Sequence, residues 1–239
     1  MLSLKKFFSI GIDSKKLVKK NFRKVMQNLS LEERFSKIYE IDYWGSATKS
    51  GVGSTLSSTE NLRKELPNLF EHFKIKTVFD GPCGDFNWMQ LVLNKCDINY
   101  IGGDIVDQLI KTNQENFSSQ KIQFKKIDLT KDPLPPADLM ICRDCLFHLS
   151  YTDTFNLLMN FVDSDIPYLL TTTYLNENNF KNKDITTGHF RMIDLFSAPY
   201  NFSKNTLYQI GDWVAPENPR IMCLWTRDQV IEALKLFNC

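Results

Sequence analysis

No stretch of the 239-residue chain is apolar enough to cross a membrane: the longest runs fall well short of the ~18–20 residues a spanning helix needs. The first eleven residues are interrupted by Lys5 and Lys6, so they lack the continuous apolar segment of a secretory signal. Cysteine is sparse, with six residues and no framework spacing. Cys142 and Cys145 alone stand three apart, and with no second pair to complete a zinc site they read as small buried hydrophobes. No metal site is expected, and a reducing cytoplasm is the expected setting. No GxxxxGK[ST] segment is present, which excludes the phosphate cradle of P-loop enzymes. Repeats and low-complexity tracts are absent too.

Net charge is nearly absent, at +1, and that excludes a uniformly basic nucleic-acid binder. The balance is uneven, however. Residues 1–24 hold eight Lys and Arg against Asp13, which leaves 21 basic and 27 acidic side chains in the remainder. The chain is a mildly acidic body with a basic arm. Leu and Phe alternate with Lys in that arm, which suits a weak contact at the inner membrane face, an anionic substrate, or simply a solvated helix. Hydrophobic residues at 43% and aromatics at 13% provide for a substantial core.

Apolar spacing predicts helix from Leu17 to Tyr39, broken near Asn28–Ser30, where Ser30 and Glu33 have capping-box spacing. Residues 1–40 are therefore read as a basic helical extension, and 41–239 as the main domain. Within that domain, strand and helix alternate. Strands are expected at 77–80, 100–104, 121–128, 137–142 and 168–174, with helices at 58–72, 85–93, 106–117 and 151–162. Two further strands, 206–213 and 220–227, precede a terminal helix. Repeated βα units predict a doubly wound, Rossmann-like α/β sheet with helices on both faces and ligands at the carboxyl ends of its strands. Residues 175–205 have no helical period and are expected to form an insert on the substrate side.

The chemistry concentrates at the strand ends. Asp80, Asp104 and Asp128 each close one of three successive strands, so three carboxylates reach one rim of the sheet. Asp80 runs into Gly81, Gly84 and Asp85, a turn that lets the backbone approach a ligand and that carries too much negative charge for a pyrophosphate. A carboxylate at the end of the second strand suits the two hydroxyls of a ribose. Any one of these acids could be an ordinary strand-end or capping residue; three in register with a glycine turn point to a ligand.

These residues resemble the class I S-adenosylmethionine (SAM)-dependent methyltransferases. The resemblance covers about residues 40–175. It rests on Ser50-Gly-Val-Gly-Ser54, Cys83-Gly-Asp-Phe-Asn-Trp-Met89, Tyr100-Ile-Gly-Gly-Asp-Ile105 and Arg143-Asp-Cys-Leu-Phe-His-Leu149, a pattern similar to a bacterial-type subgroup. Pro82 and Phe86 stand where the family's first motif usually has its first and last glycines. The resemblance implies a seven-stranded sheet and SAM as the methyl donor. It places Asp80, Gly81, Gly84 and Asp85 around the methionine part, Asp104 on the ribose, Ile105 against the adenine, and Asp128 with Leu129 at the adenine amine. Arg143 is implied beneath the sulfonium. Trp44, Ser50 and Gly51 are expected to fold over the cofactor carboxylate, the 50–54 backbone acting as an anion nest, unless that segment is a plain linker.

An oxygen nucleophile needs a base, and Asp144 and His148 follow the fourth strand on the rim where the methyl group would project. His148 could instead be a helix-flanking residue bonded to backbone. His189 and Arg191 lie in a stretch, Gly188 to Leu195, that also fits the subgroup; Arg191 could grip an anion or pair with Asp184 or Asp194 and brace its loop. The expected acceptor is small and polar, a sugar, sugar-phosphate or surface-glycan precursor. Methylation of protein or RNA, or a non-catalytic SAM-binding scaffold, are the alternatives. Against RNA, the body is acidic and the fourth strand ends in Cys142-Arg-Asp rather than Asn-Pro-Pro-Tyr.

Overall fold

The computed structural model describes residues 25–45, 47–176 and 180–236. The basic arm of residues 1–24 lies outside them. Where the description begins, the chain closes a helical turn and enters α1 (Leu31–Glu40) through the capping box expected at Ser30: its hydroxyl accepts from the Glu33 N–H, and the Glu33 carboxylate accepts from the Ser30 N–H. Such a cap stabilises a helix start by about 1 kcal/mol.

Next come α2 (Glu60–His72), β1 (Thr77–Asp80), α3 (Met89–Leu93), β2 (Asn99–Asp104), α4 (Asp107–Phe117), β3 (Ile122–Lys126) and β4 (Leu139–Cys142). The chain continues through α5 (Tyr151–Asp163), β5 (Tyr168–Tyr174), β6 (Tyr208–Gly211), β7 (Arg220–Thr226) and α6 (Arg227–Lys235). All seven strands join one sheet in the order β3-β2-β1-β4-β5-β7-β6. β1 to β5 run parallel, while β7 pairs antiparallel with β5 and β6. Strand order reverses between β1 and β4, which opens a crevice at their carboxyl ends.

The alternation of side chains along each strand explains the two cores. Phe79, Met140, Cys142, Leu169, Cys223 and Trp225 point to one face, under α5 and α6. Val78, Leu139, Ile141, Leu170, Met222 and Leu224 point to the other, under α2, α3 and α4. The sheet is doubly wound, as expected. Asp138 fixes its register at the switch, since one carboxylate oxygen accepts the N–H groups of both Lys76 and Thr77 at 2.8 Å.

One expectation needs correction. The helix after β1 starts at Met89, not at Asp85, because Phe86 has φ +57°, a left-handed conformation that no helix can pass through. Residues 180–205 contain neither helix nor strand, as the lack of a helical period predicts, and Ile193, Leu195, Tyr200 and Phe202 are buried in the core beneath α5.

Candidate functional site

The rim acids converge. Asp80, Asp104 and Asp128 line one cavity at the switch point, with Gly84, Ile105, Leu129 and Arg143 among its other walls. β1 and β2 place their last residues there directly. β3 ends two residues before Asp128, and the chain then turns so that the Asp128 carboxylate accepts from the Thr130 N–H (3.0 Å) and hydroxyl (2.7 Å).

Each carboxylate has its own setting. Asp80 is buried and accepts from the Tyr100 hydroxyl at 2.7 Å; burial raises its pKa to about 7, against the stabilising Tyr100 bond and the Arg143 charge. Asp104 accepts from the backbone N–H of Val106 (3.0 Å) and of Gly84 (3.3 Å), and burial raises its pKa to about 6. A carboxylate offers about four lone-pair sites. Asp104 therefore keeps acceptor capacity towards the cavity, the donor–acceptor pattern that paired ribose hydroxyls require.

The glycine turn is tied down from outside. Ser50 Oγ accepts the Asp85 N–H at 2.8 Å, and the Asp85 carboxylate accepts the Lys49 N–H at 2.9 Å. Gly84 has φ +56°, and a Cβ there would run into Ser50 Oγ. Asp85 thus braces the 47–54 loop and lines neither cavity, contrary to the role assigned to it. Gly81 lines neither as well; a Cβ on it would come within 2.8 Å of the Leu129 side chain, so it allows close packing behind the wall. Within the segment expected to act as an anion nest, the Gly51 and Ser54 N–H groups are taken by the Thr48 and Gly51 carbonyls.

Arg143 is the hub of a buried ion network. Its Nε and one terminal nitrogen bind both oxygens of Asp212 (2.8 and 2.9 Å), the same nitrogen donates to the Gly53 carbonyl (2.8 Å), and the other lies 3.4 Å from Asp144. Arg220 bridges Asp144 (3.4 Å) and Glu217 (2.5 Å). Arg143 faces the cavity, but its guanidinium is spent holding β4, the hairpin end at Asp212 and the 50s loop together. Asp212 and Arg220 are not evident from the sequence, because Arg143 pairs with Asp212 69 positions on and Asp144 with Arg220 76 positions on, with no local pattern to announce either.

A second cavity opens beside the first. Trp44, Ser50, Asp144 and His148 line both, so they form the neck between them. Phe147, Tyr174, Phe190, Arg220 and Glu217 wall the second, together with Gly51. His148 Nδ1 lies 2.8 Å from the His189 carbonyl oxygen, which can only accept. Nδ1 therefore carries the proton and Nε2 the lone pair. Burial lowers the His148 pKa, against the His189 bond and the Asp144 charge, so the ring is neutral at pH 7.

The other two candidates do not reach either cavity. His189 contributes its carbonyl rather than its ring. Arg191 is buried, donating to the Tyr200 hydroxyl at 2.7 Å, stacked over Tyr151 at 5.1 Å and 3.7 Å from Asp184. It braces its loop. Trp213 is 42% exposed and lines neither cavity. Conversely, Leu31, Phe35 and Tyr39 of α1 close the first cavity, one face of a helix at i, i+4 and i+8. Among the described residues, no group of His, Cys, Asp and Glu is placed to hold a metal.

By sequence the chain matches no family model and no curated protein. By structure it is similar to a SAM-dependent methyltransferase from Leishmania major (TM-score 0.60, 15% identity, 86% of this chain and 90% of that one). It also resembles human N-acetylserotonin methyltransferase in complex with SAM (TM-score 0.57, 16% identity, 88% of this chain but only 65% of the human one). A third is magnesium protoporphyrin IX methyltransferase from Synechocystis with bound S-adenosylhomocysteine (TM-score 0.53, 11% identity, 88% and 98%). The strand order, the reversed β7 and these neighbours agree: the chain has the fold of the class I SAM-dependent methyltransferases.

Proposed function

We propose that the protein binds SAM in the first cavity and transfers its methyl group to an oxygen of a small polar acceptor, of the sugar or glycan-precursor class, held in the second. The observation that carries this reading is the neck: a cavity rimmed by three strand-end carboxylates meets an aromatic-walled cavity at Asp144 and a neutral His148. SAM would supply the electrophilic methyl group. Asp104 accepts the ribose hydroxyls, Ile105 and Leu129 sandwich the base, and Asp80 faces the amino-acid end.

In-line transfer depends chiefly on positioning and the exclusion of water. Leu31, Phe35 and Tyr39 exclude water from the donor side. The acceptor oxygen forms its new bond to carbon as the sulfur–carbon bond breaks, and His148 Nε2 takes the hydroxyl proton. Asp144 faces the imidazolium that results. Two of the structural neighbours are named for small-molecule acceptors, which supports an acceptor of that size. Arg191 no longer supports a phosphate grip, so the phosphorylated members of the acceptor class lose their main argument.

Tritiated SAM supplied to the protein with a fractionated cell extract tests the reading. Label in the small-molecule or glycan fraction is the expected result. Label in protein or RNA assigns a different acceptor, binding of SAM without any transfer favours the scaffold alternative, and failure to bind SAM refutes the proposal at its root.

A further inference from the structure

Tyr174 is the last residue of β5 and sits opposite Arg220 of β7 in the antiparallel register, so the two side chains share a face of the sheet. Both line the second cavity. Their situations differ. Arg220 is committed to Glu217 and Asp144. Tyr174 is 6% exposed, packs its ring edge-on against Phe147 (5.8 Å) and Phe190 (6.3 Å), and its hydroxyl has no hydrogen-bond partner among the described residues. The hydroxyl is not sealed into the core: it keeps an open face to the second cavity, where an incoming polar group can take it as a donor. Burial also raises the Tyr174 pKa to about 12, so the group stays protonated and remains a donor.

We propose that Tyr174 is a specificity-determining residue of the acceptor site: its hydroxyl is held unpaired in the second cavity to hydrogen-bond a polar group on a hydroxylated six-membered ring that lies against Phe147 and Phe190. The inference rests on the proposed methyl transfer and deepens it. The methylated hydroxyl faces His148 at the neck, and a second polar substituent on the same ring faces Tyr174. A ring with only the reacting hydroxyl leaves Tyr174 unpaired and is discriminated against, which is how sites built around a buried polar group achieve selectivity. The Arg220 charge is already neutralised, so the second substituent is a neutral hydroxyl or carbonyl rather than a carboxylate.

Sugar rings and dihydroxyaromatic rings share this chemistry, and the experiment separates them. The full chain, saturated with S-adenosylhomocysteine and labelled with 13C at tyrosine Cζ, is titrated with methyl β-D-glucopyranoside, with catechol and with phenol. At least one of the first two is expected to bind, to shift the Tyr174 resonance, and to bind more tightly than phenol. Tyr174→Phe is expected to weaken that ligand roughly tenfold and to abolish its advantage over phenol. Affinity for S-adenosylhomocysteine and the thermal midpoint stay unchanged, which a merely structural role would not allow. If neither ring binds, or if Tyr174→Phe binds it as the unsubstituted protein does, the inference is overturned. Loss of S-adenosylhomocysteine binding in the unsubstituted protein would instead overturn the methyltransferase reading.

Discussion

The two cavities are built on opposite plans. The first takes one acid from each of three consecutive parallel strands, so its chemistry repeats along the chain at the period of the βα unit. The second is assembled from the neck, the end of β5, the 188–191 segment and the β6–β7 hairpin, and long-range ion pairs hold these pieces together. A repeated plan leaves a rhythm in the sequence. An assembled one leaves none, and it depends on contacts between residues that stand dozens of positions apart.

The sharpest way to break this division is at the neck, the one feature both cavities share. His148→Ala should lower kcat by about 10²–10⁴ while SAM affinity is kept, as removal of a general base does. With the His148 pKa below its ordinary value, kcat/KM should rise with pH through a point below 6.5 and be flat at neutrality. A profile that keeps climbing above pH 7 would sink the assignment.

Next in size is the scaffold of the second cavity. Asp212→Ala takes the bidentate partner from the buried Arg143 guanidinium and should destabilise the protein by about 3–5 kcal/mol in denaturant titrations. A change under 1 kcal/mol would mean that the network is ornamental. Asp104→Ala acts on the other side: SAM affinity should fall by one to two orders of magnitude in calorimetry, with little loss of fold, since the partners it leaves are two backbone N–H groups at the cavity edge. Equal affinity would refute the ribose assignment.

A smaller effect is read in the pH dependence of stability. Burial raises the folded-state pKa of Asp80 to about 7 and of Asp104 to about 6. The folded state therefore holds these protons more tightly than the unfolded chain, whose carboxyls titrate near 3.8. Stability must then fall as pH rises from about 4 to about 7. The thermal midpoint of the ligand-free protein should be higher at pH 5.5 than at pH 7.5, and Asp80→Asn should flatten the slope. The smallest expected change is Ser50→Ala, about 1 kcal/mol, because it removes one bond between the 50s loop and the glycine turn.

Strand and helix positions were legible because apolar residues alternate on a two-sided sheet, and the three acids were legible because each terminates such a run. Asp85 misled because a carboxylate after a glycine turn looks like a helix cap. The left-handed Phe86 delays that helix to Met89 and frees Asp85 for the Lys49 N–H. Arg191 looked like an anion grip because nothing local reveals the Tyr151 and Tyr200 rings that enclose it. The unpaired Tyr174 hydroxyl leaves no trace either, since a tyrosine closing an apolar strand reads as core. Composition located the acidic body, and the structure then distributed its acids: some to the first cavity, others to neutralising Arg143 and Arg220.

The His148 tautomer is set by a main-chain oxygen, that of residue 189. Every amino acid has that oxygen, so the proton's location is encoded in the path of the chain and not in the letter at position 189. Exchanging the histidine there for a residue that tolerates the same backbone should leave the imidazole's orientation intact, while moving the 186–191 segment by a single residue should erase it. Position 189 is thus free in its side chain, while the loop that carries it is constrained in its length.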